Sequence, residues 1–417
     1  MKGLIRKSFR SVAGIIALTV LWGQASMADD TIDLSVPMPS GGLAEYRSSK
    51  PLELLSGQEA AELDEAMQSY NSDGNTLLIN AAQSYYYYEN IDPIAKEIYD
   101  VMLAVAQDPV SEGNIGLMMT DMDPESDEYY REFNIAYRAI CFDHPELFWL
   151  YSGEEAEICY CSEAVNYGGF YLVYIKMTEP FANYEKQMVE FNNASRNFLA
   201  DINVNTSDYD IVRQIHDKLI DLVNYNDPVA QEISSTLAGQ DLAHTAYGCL
   251  VADSGGNENY AVCDGYALAT EYLLQQCGIE TAFIGGRAGE TEADAGGHAW
   301  NIVKIDGSWY ELDSTWDDAG SLEDDLTDGT DEYYYYMEAL NDPDYREKLN
   351  HFLFLVSTDR IRHFIPGDEY DYITKDQMYQ LSLVSESVHI RMNDCTDASD
   401  YDSVIMALAP NAMQGYQ

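Results

Sequence analysis

Positive charge is scarce in this chain. Against 72 Asp and Glu it carries only 22 Lys and Arg, for a formal net charge of -50 over 417 residues. Nucleic acid and anionic membrane surfaces are bound through cationic faces, so neither is expected as a partner. A solvated acidic surface that keeps the protein soluble accounts for the imbalance. The chain also lacks a Walker phosphate loop, a GxGxxG turn, an HExxH pair and a GxSxG elbow. Their absence sets aside the common nucleotide, metalloprotease and α/β-hydrolase chemistries. No CxxC pair occurs, and Cys159 and Cys161 have no histidine nearby, so the cysteine spacing is not that of a zinc site. After the first 28 residues no run is apolar enough to cross a bilayer. What the chain has in quantity is apolar and aromatic surface, 46% hydrophobic residues with 33 tyrosines, enough for one large core or two ordinary ones.

The first residues are basic and then apolar. Lys2, Arg6, Lys7 and Arg10 precede an apolar run over 11–23, and Ser26 and Ala28 put small residues where a signal peptidase reads them. Residues 1–28 are therefore expected to be a signal peptide, and the mature protein to be secreted, extracellular or at the cell surface. Seven cysteines in an exported chain leave at least one unpaired, and the other six allow up to three disulfides of open pairing. Cys159 and Cys161 are too close to bridge one another without strain.

Along the chain, residues 29–80 are expected to be an acidic leader or linker, with one helical stretch from about Ser56 to Met67. Residues 81–205 are expected to form an α+β domain. In it Asp92-Pro93 starts a helix running to about Ala106, and a second helix covers Asp127 to Ile140. The run Asp143 to Leu150 is expected to turn into an aromatic strand. Gly169 to Ile175 alternates as a strand, and Ala182 to Leu199 is a helix. Residues 206–366 form a second unit, opened by a helix capped at Ser207 and closed by expected strands at Tyr333 to Tyr336 and Phe352 to Val356. Residues 367–417 are left as an extension of unassigned structure. The acidic run Asp317 to Glu332 is expected to be a solvated loop. Calcium has no specific motif behind it, and no cofactor or metal is expected.

The chemistry concentrates between residues 260 and 316. Tyr260 to Ala267 predicts a loop entering a helix at Cys263. There the helix dipole and free backbone N–H groups favour a thiolate and offer donors to an oxyanion forming beside it. Cys277 lies 14 residues on in the same helix, roughly 21 Å away at ~1.5 Å per residue, and so cannot bridge to Cys263. A strand begins at His298, turns at Asp306-Gly307 and returns through Trp309 to Asp313. Any even-length loop places His298 and Asp313 on one face, and an odd loop would split them. A histidine held by a carboxylate is the base-plus-orienter arrangement that a thiol nucleophile uses. His216, His244, His351 and His363 lack such a setting and are expected to be structural.

Tyr-Ala-Val-Cys-Asp-Gly-Tyr-Ala at 260–267, Gly-Gly-His-Ala-Trp-Asn at 296–301 and Trp-Tyr-Glu-Leu-Asp-Ser-Thr-Trp-Asp-Asp at 309–318 together resemble the core of the transglutaminase-like superfamily, in its bacterial exported form. His216 to Leu219, His244 to Gly248 and Asp143 to Leu150 extend the resemblance over roughly 85–360. It implies an α+β fold, a papain-like transglutaminase core in which the Cys-bearing helix packs on an antiparallel sheet bearing His and Asp, preceded by a smaller α+β domain. It further implies catalysis by Cys263 as nucleophile, His298 as base and Asp313 as its orienter, with a protein, peptide or cell-wall peptide as substrate. Animal cross-linking members place a tryptophan upstream of the cysteine, and 224–262 contains none. Tyr247 is the substitute oxyanion donor suggested, and Trp300 a wall of the site. Peptide or amide hydrolysis, in the manner of a cysteine peptidase, is thus expected ahead of cross-linking or deamidation. A surface-binding module that kept the fold without catalysis is the alternative of another class.

Overall fold

The computed structural model describes residues 44–46, 85–106, 115–119, 127–150, 160–165, 170–174, 184–230, 242–251, 259–293, 295–318, 341–364 and 387–391, with a few single positions elsewhere. The expected signal peptide and the helix expected from Ser56 to Met67 lie outside them. No helix among the described residues is long and apolar enough to cross a membrane.

Helix α1 (Tyr86–Asn90) is followed by α2 (Pro93–Ala106). Asp92 Oδ1 accepts from the amides of Ile94 and Ala95 at 2.8 and 3.1 Å, and Pro93, which has no amide to leave unpaired, takes the first helical position. Helix α3 (Asp127–Asp143) ends on a buried carboxylate that accepts from the Tyr87 and Tyr88 amides at 3.0 and 2.8 Å. The aromatic strand expected after it does not form. Residues 144–150 are consecutive tight turns, closed by Leu147 N–H to His144 O and Leu150 N–H to Leu147 O, and they bury Leu147, Phe148, Trp149 and Leu150 without any strand partner. A four-stranded antiparallel sheet, in the order β1-β2-β4-β3, is built from β1 (Ala44–Tyr46), β2 (Ile115–Met119), β3 (Tyr160–Val165) and β4 (Phe170–Tyr174), the last being the strand expected there.

Helix α4 (Tyr184–Leu199) leads to α5 (Asp208–Leu222), whose cap Ser207 accepts from the Asp210 amide at 3.2 Å. Strand β5 (Val223–Tyr225) pairs in parallel with β6 (Asn259–Ala261), with the short helices α6 (Asp227–Ala230) and α7 (Ala246–Leu250) between them in sequence. Helix α8 (Cys263–Gln276) is buried on all sides from Gly265 to Gln275, as an internal helix must be. It packs against the second sheet, an antiparallel array in the order β10-β7-β8-β9, made of β7 (Thr281–Gly289), β8 (Gly296–Ile305), β9 (Ser308–Leu312) and β10 (Val388–Arg391).

The β8–β9 loop has two residues. Ile305 pairs with Ser308, and Asp306 and Gly307 have φ of 51° and 82°, the left-handed pair that a type I′ hairpin needs. The even-loop condition is therefore met. Helices α9 (Pro343–Leu349) and α10 (Thr358–Arg362) follow. The strand expected at Phe352 to Val356 is instead a series of turns with one bridge, Glu311 to Val356. Leu355, at a φ of 51°, is incompatible with a continuous strand there. Of the strand expected at Tyr333 to Tyr336, only Tyr334 is described, and it is helical and exposed.

One apolar cluster runs from Tyr87 to Ile405. Phe142 stacks on Phe283 at 4.6 Å, and the Tyr87 hydroxyl donates to Phe283 O at 2.5 Å. The segments expected as separate units at 81–205 and 206–366 therefore share a core, and β10 carries the sheet past residue 366.

The start of α8 is held against 242–245 by close backbone contact. A Cβ at Gly265 would lie 2.4 Å from Ala243 O and 3.0 Å from Ala261 Cβ. Gly265→Ala is expected to lower stability by roughly 1–3 kcal/mol in urea unfolding, because backbone must move. Gly296→Ala, where a Cβ would meet nothing within 4 Å, is expected to change it by less than about 0.5 kcal/mol.

Candidate active site

Cys263 is the first residue of α8, and Val262 before it makes no side-chain cap. The Gly265 amide donates to Asp264 Oδ1 at 3.0 Å, and the helix dipole at this end favours negative charge on the sulfur. Cys263 is half-buried and a free thiol. Cys249 and Cys277 are also free thiols, and they and Cys141 are buried. The three-disulfide arrangement allowed by composition is therefore corrected, since Cys249, Cys263 and Cys277 are free thiols and the other four cysteines can form two bridges at most. Burial pushes the Cys277 thiol up to about 11 and Cys249 well above its ordinary value. Of Cys141, Cys249, Cys263 and Cys277, Cys263 alone reaches the surface.

The hairpin brings His298 to Asp313 as parity requires. His298 Nε2 lies 2.8 Å from Asp313 Oδ2, and Cys263 is near enough to the ring to raise its proton affinity. The His298 side chain is 7% exposed. Burial works to lower its proton affinity, but the Asp313 charge, the bond to Asp313 and the contact with Cys263 outweigh it and raise the pKa to about 10. Asp313 is fully buried. Burial opposes its ionisation, yet His298 holds it well below the usual carboxylate range. Its other oxygen, Oδ1, accepts from the amides of Thr315 and Trp316 at 3.1 Å each. The hairpin register places residue 315 opposite 298, so Asp313 reaches His298 diagonally, just past the end of β9.

The walls differ in part from expectation. Trp300 is buried, donates Nε1–H to Glu311 Oε2 at 2.8 Å, and lies parallel to His298 with ring centres 6.0 Å apart. Trp316 lies 5.6 Å from the same ring. Tyr247 is a correction: its hydroxyl donates to Glu190 Oε2 at 2.8 Å and its ring packs on Phe148, so the group is committed to α4 rather than to an oxyanion. Tyr225 is the tyrosine whose phenol feels Cys263. Burial first, and then the Cys263 charge, push its pKa up. His244, expected to be structural, pairs through Nδ1 with Asp264 at 2.7 Å, one residue from the thiol. His389 on β10 is the residue that sequence reasoning missed outright. Its Nε2 is also 2.8 Å from Asp313 Oδ2, and no local motif marks it.

The acidic run after the hairpin does not begin in solvent. Asp317 and Asp318 are buried, which corrects the solvated-loop expectation for these two; the rest of the run lies outside the described residues. Asp318 accepts from the Tyr266 hydroxyl at 2.7 Å, and Asp317 accepts from the Leu353 amide at 2.8 Å and faces His216 at 3.3 Å. His216 in turn faces Asp217, which also accepts from His351 at 2.6 Å. These buried pairs anchor the segment that follows Asp313 to α5.

The Cys-bearing helix on an antiparallel sheet bearing His and Asp is a mixed α+β, transglutaminase-like core. Residues 196–314 match the family model described as the transglutaminase-like superfamily, which shows the resemblance carried by the three motifs. A solved structure described as "Crystal structure of a TGase" aligns at 12% identity with a TM-score of 0.25, over 49% of this chain and 51% of its own. This chain thus spans about half of that structure's length. No curated protein matches.

Burial lowers the proton affinity of His216, but its carboxylate partners outweigh this and raise its pKa to about 9; that of His298 stands at about 10. Both values lie above the unfolded histidine value of ~6.5, so these pairs add stability that is complete below about pH 6.5 and is lost as pH rises through 9 and 10. The melting temperature is expected to fall between pH 7 and 10, and to fall less steeply in His216→Gln. Calorimetric melts at fixed ionic strength check this.

Proposed function

We propose that the protein is an exported thiol enzyme that cleaves peptide or amide bonds through an acyl-enzyme on Cys263. The observation that carries this reading is the grouping of Cys263, His298 and Asp313, in which one imidazole meets a fully buried carboxylate through Nε2 at 2.8 Å and lies within electrostatic reach of a half-buried thiol. With the proton already on His298, the Cys263 sulfur of the ion pair attacks the carbonyl carbon. The C–N bond breaks as the imidazolium gives its proton to the leaving amine, and a thioester remains. His298 then takes a proton from water, the resulting hydroxide attacks the thioester, and the acid leaves as the thiol is restored. The uncapped start of α8 supports stabilisation of the oxyanion. Trp300 and Trp316 support a walled site that holds the ring in place. The expected substrate is a protein, peptide or cell-wall peptide met outside the cytoplasm, consistent with the basic-then-apolar N-terminus and the acidic composition. Among transglutaminase-like outcomes, hydrolysis is preferred because 224–262 holds no tryptophan to serve the oxyanion as in animal cross-linkers.

Iodoacetamide at low concentration is expected to label Cys263 in preference to Cys141, Cys249 and Cys277. His298→Ala should slow that labelling on the order of a hundredfold, and Cys263→Ala should abolish it. A Cys263 that reacts no faster than a free thiol in solution sinks the enzyme reading. Incubation with a glutamine-bearing peptide and a primary amine, followed by mass spectrometry, separates the outcomes. Backbone or amide hydrolysis dependent on Cys263 is expected, and amine incorporation would replace hydrolysis with cross-linking.

A further inference from the structure

Two histidines meet one oxygen of Asp313. His298 approaches Oδ2 from β8 and His389 from β10, each through Nε2 at 2.8 Å. When the carboxylate is ionised, each of those nitrogens must carry the hydrogen that it shares. The His389 side chain is fully buried, and its Nδ1 has no hydrogen-bond partner among the described residues, so the ring sits as a neutral Nε2–H tautomer with a single contact of consequence. Its faces and edges are set by aromatic rings: Trp316 at 4.8 Å, Trp300 at 5.1 Å and His298 at 5.4 Å. Strand β10 is admitted to this place by Gly286 on β7, where a Cβ would lie 2.3 Å from Ile390 O. The charged groups bearing on the ring are Asp313, His298 and Glu311. Arg391, on the same strand, is bound by Glu311. Burial holds His389 below its ordinary pKa, in agreement with a neutral ring.

We propose that His389 is a positioning residue that acts through Asp313, fixing Oδ2 and dispersing its charge so that His298 is aimed at Cys263 yet still releases its proton. The inference rests on the reading of Cys263 as nucleophile. A carboxylate with four donors is a weaker partner for an imidazolium than one with three. Removing the His389 donor should therefore bind the His298 proton more tightly and move the alkaline limb of Cys263 reactivity to higher pH. It should also loosen the aim of His298.

The test uses the full chain and iodoacetamide. The labelling rate of Cys263 is followed by mass spectrometry from pH 5 to 11 in the wild type, His389→Phe and His389→Gln, with folding checked by near-UV circular dichroism. His389→Phe should label ten- to a hundredfold more slowly at pH 7, with its alkaline limb displaced upward. His389→Gln, which can present an amide N–H to Asp313, should return both towards the wild type. A folded His389→Phe with an unmoved limb overturns the proposal alone, as does a folded His389→Gln no better than His389→Phe. A wild type in which Cys263 is no more reactive than a free thiol overturns the enzyme reading and this proposal with it. Should neither variant fold, nitrogen-15 shifts of the wild-type histidines decide: an Nε2–H tautomer at His389 that persists from pH 6 to 9 is required, and an Nδ1–H tautomer overturns it.

Discussion

A carboxylate taken out of water must find donors for its charge, and in this protein the burial of Asp313 organises everything around it. Its two oxygens receive His298 and His389 on one side and the Thr315 and Trp316 amides on the other. Those four donors come from β8, β10 and the turn after β9. Satisfying one side chain therefore brings together the hairpin, a strand 76 residues further on and the segment that leads to Asp317. Two residues earlier Glu311 does the same, taking Trp300, Thr358 and Arg391. The pair act as rivets at one end of the sheet.

The candidate chemistry is a by-product of that arrangement. A histidine held by a buried carboxylate retains its proton, and the start of α8 brings a thiol within electrostatic reach of that ring. Cys141, Cys249 and Cys277 are enclosed, so among these four cysteines burial leaves Cys263 the accessible thiol. The contact of α8 with the 242–245 segment, close enough to require glycine at 265, fixes where that thiol stands.

Local elements were legible wherever capping or turn chemistry is written in adjacent residues. Asp92-Pro93, Ser207 and Asp306-Gly307 each mark a start or reversal that the fold reproduces, because the interaction is complete within four residues. The aromatic runs at 144–150 and 352–356 misled, since strand-forming composition describes a preference for being half-buried rather than for a ladder. In both places the side chains are buried by turns. Tyr247 misled for a related reason: proximity to the cysteine in sequence said nothing about α4, whose Glu190 receives its hydroxyl.

The sequence by itself determined that Cys263 stands at a helix start and that His298 and Asp313 share a face, because local motifs and the parity of a two-residue turn are enough to bring two side chains together. It also determined that the core is α+β, through helix caps and alternating strands. Only the tertiary structure decided what surrounds Asp313. His389 stands in an unremarkable stretch, Val388-His389-Ile390-Arg391, and nothing within reach of it along the chain asks for a donor. The demand comes from a buried charge 76 residues away, and a demand of that kind is met by packing, which no local pattern records.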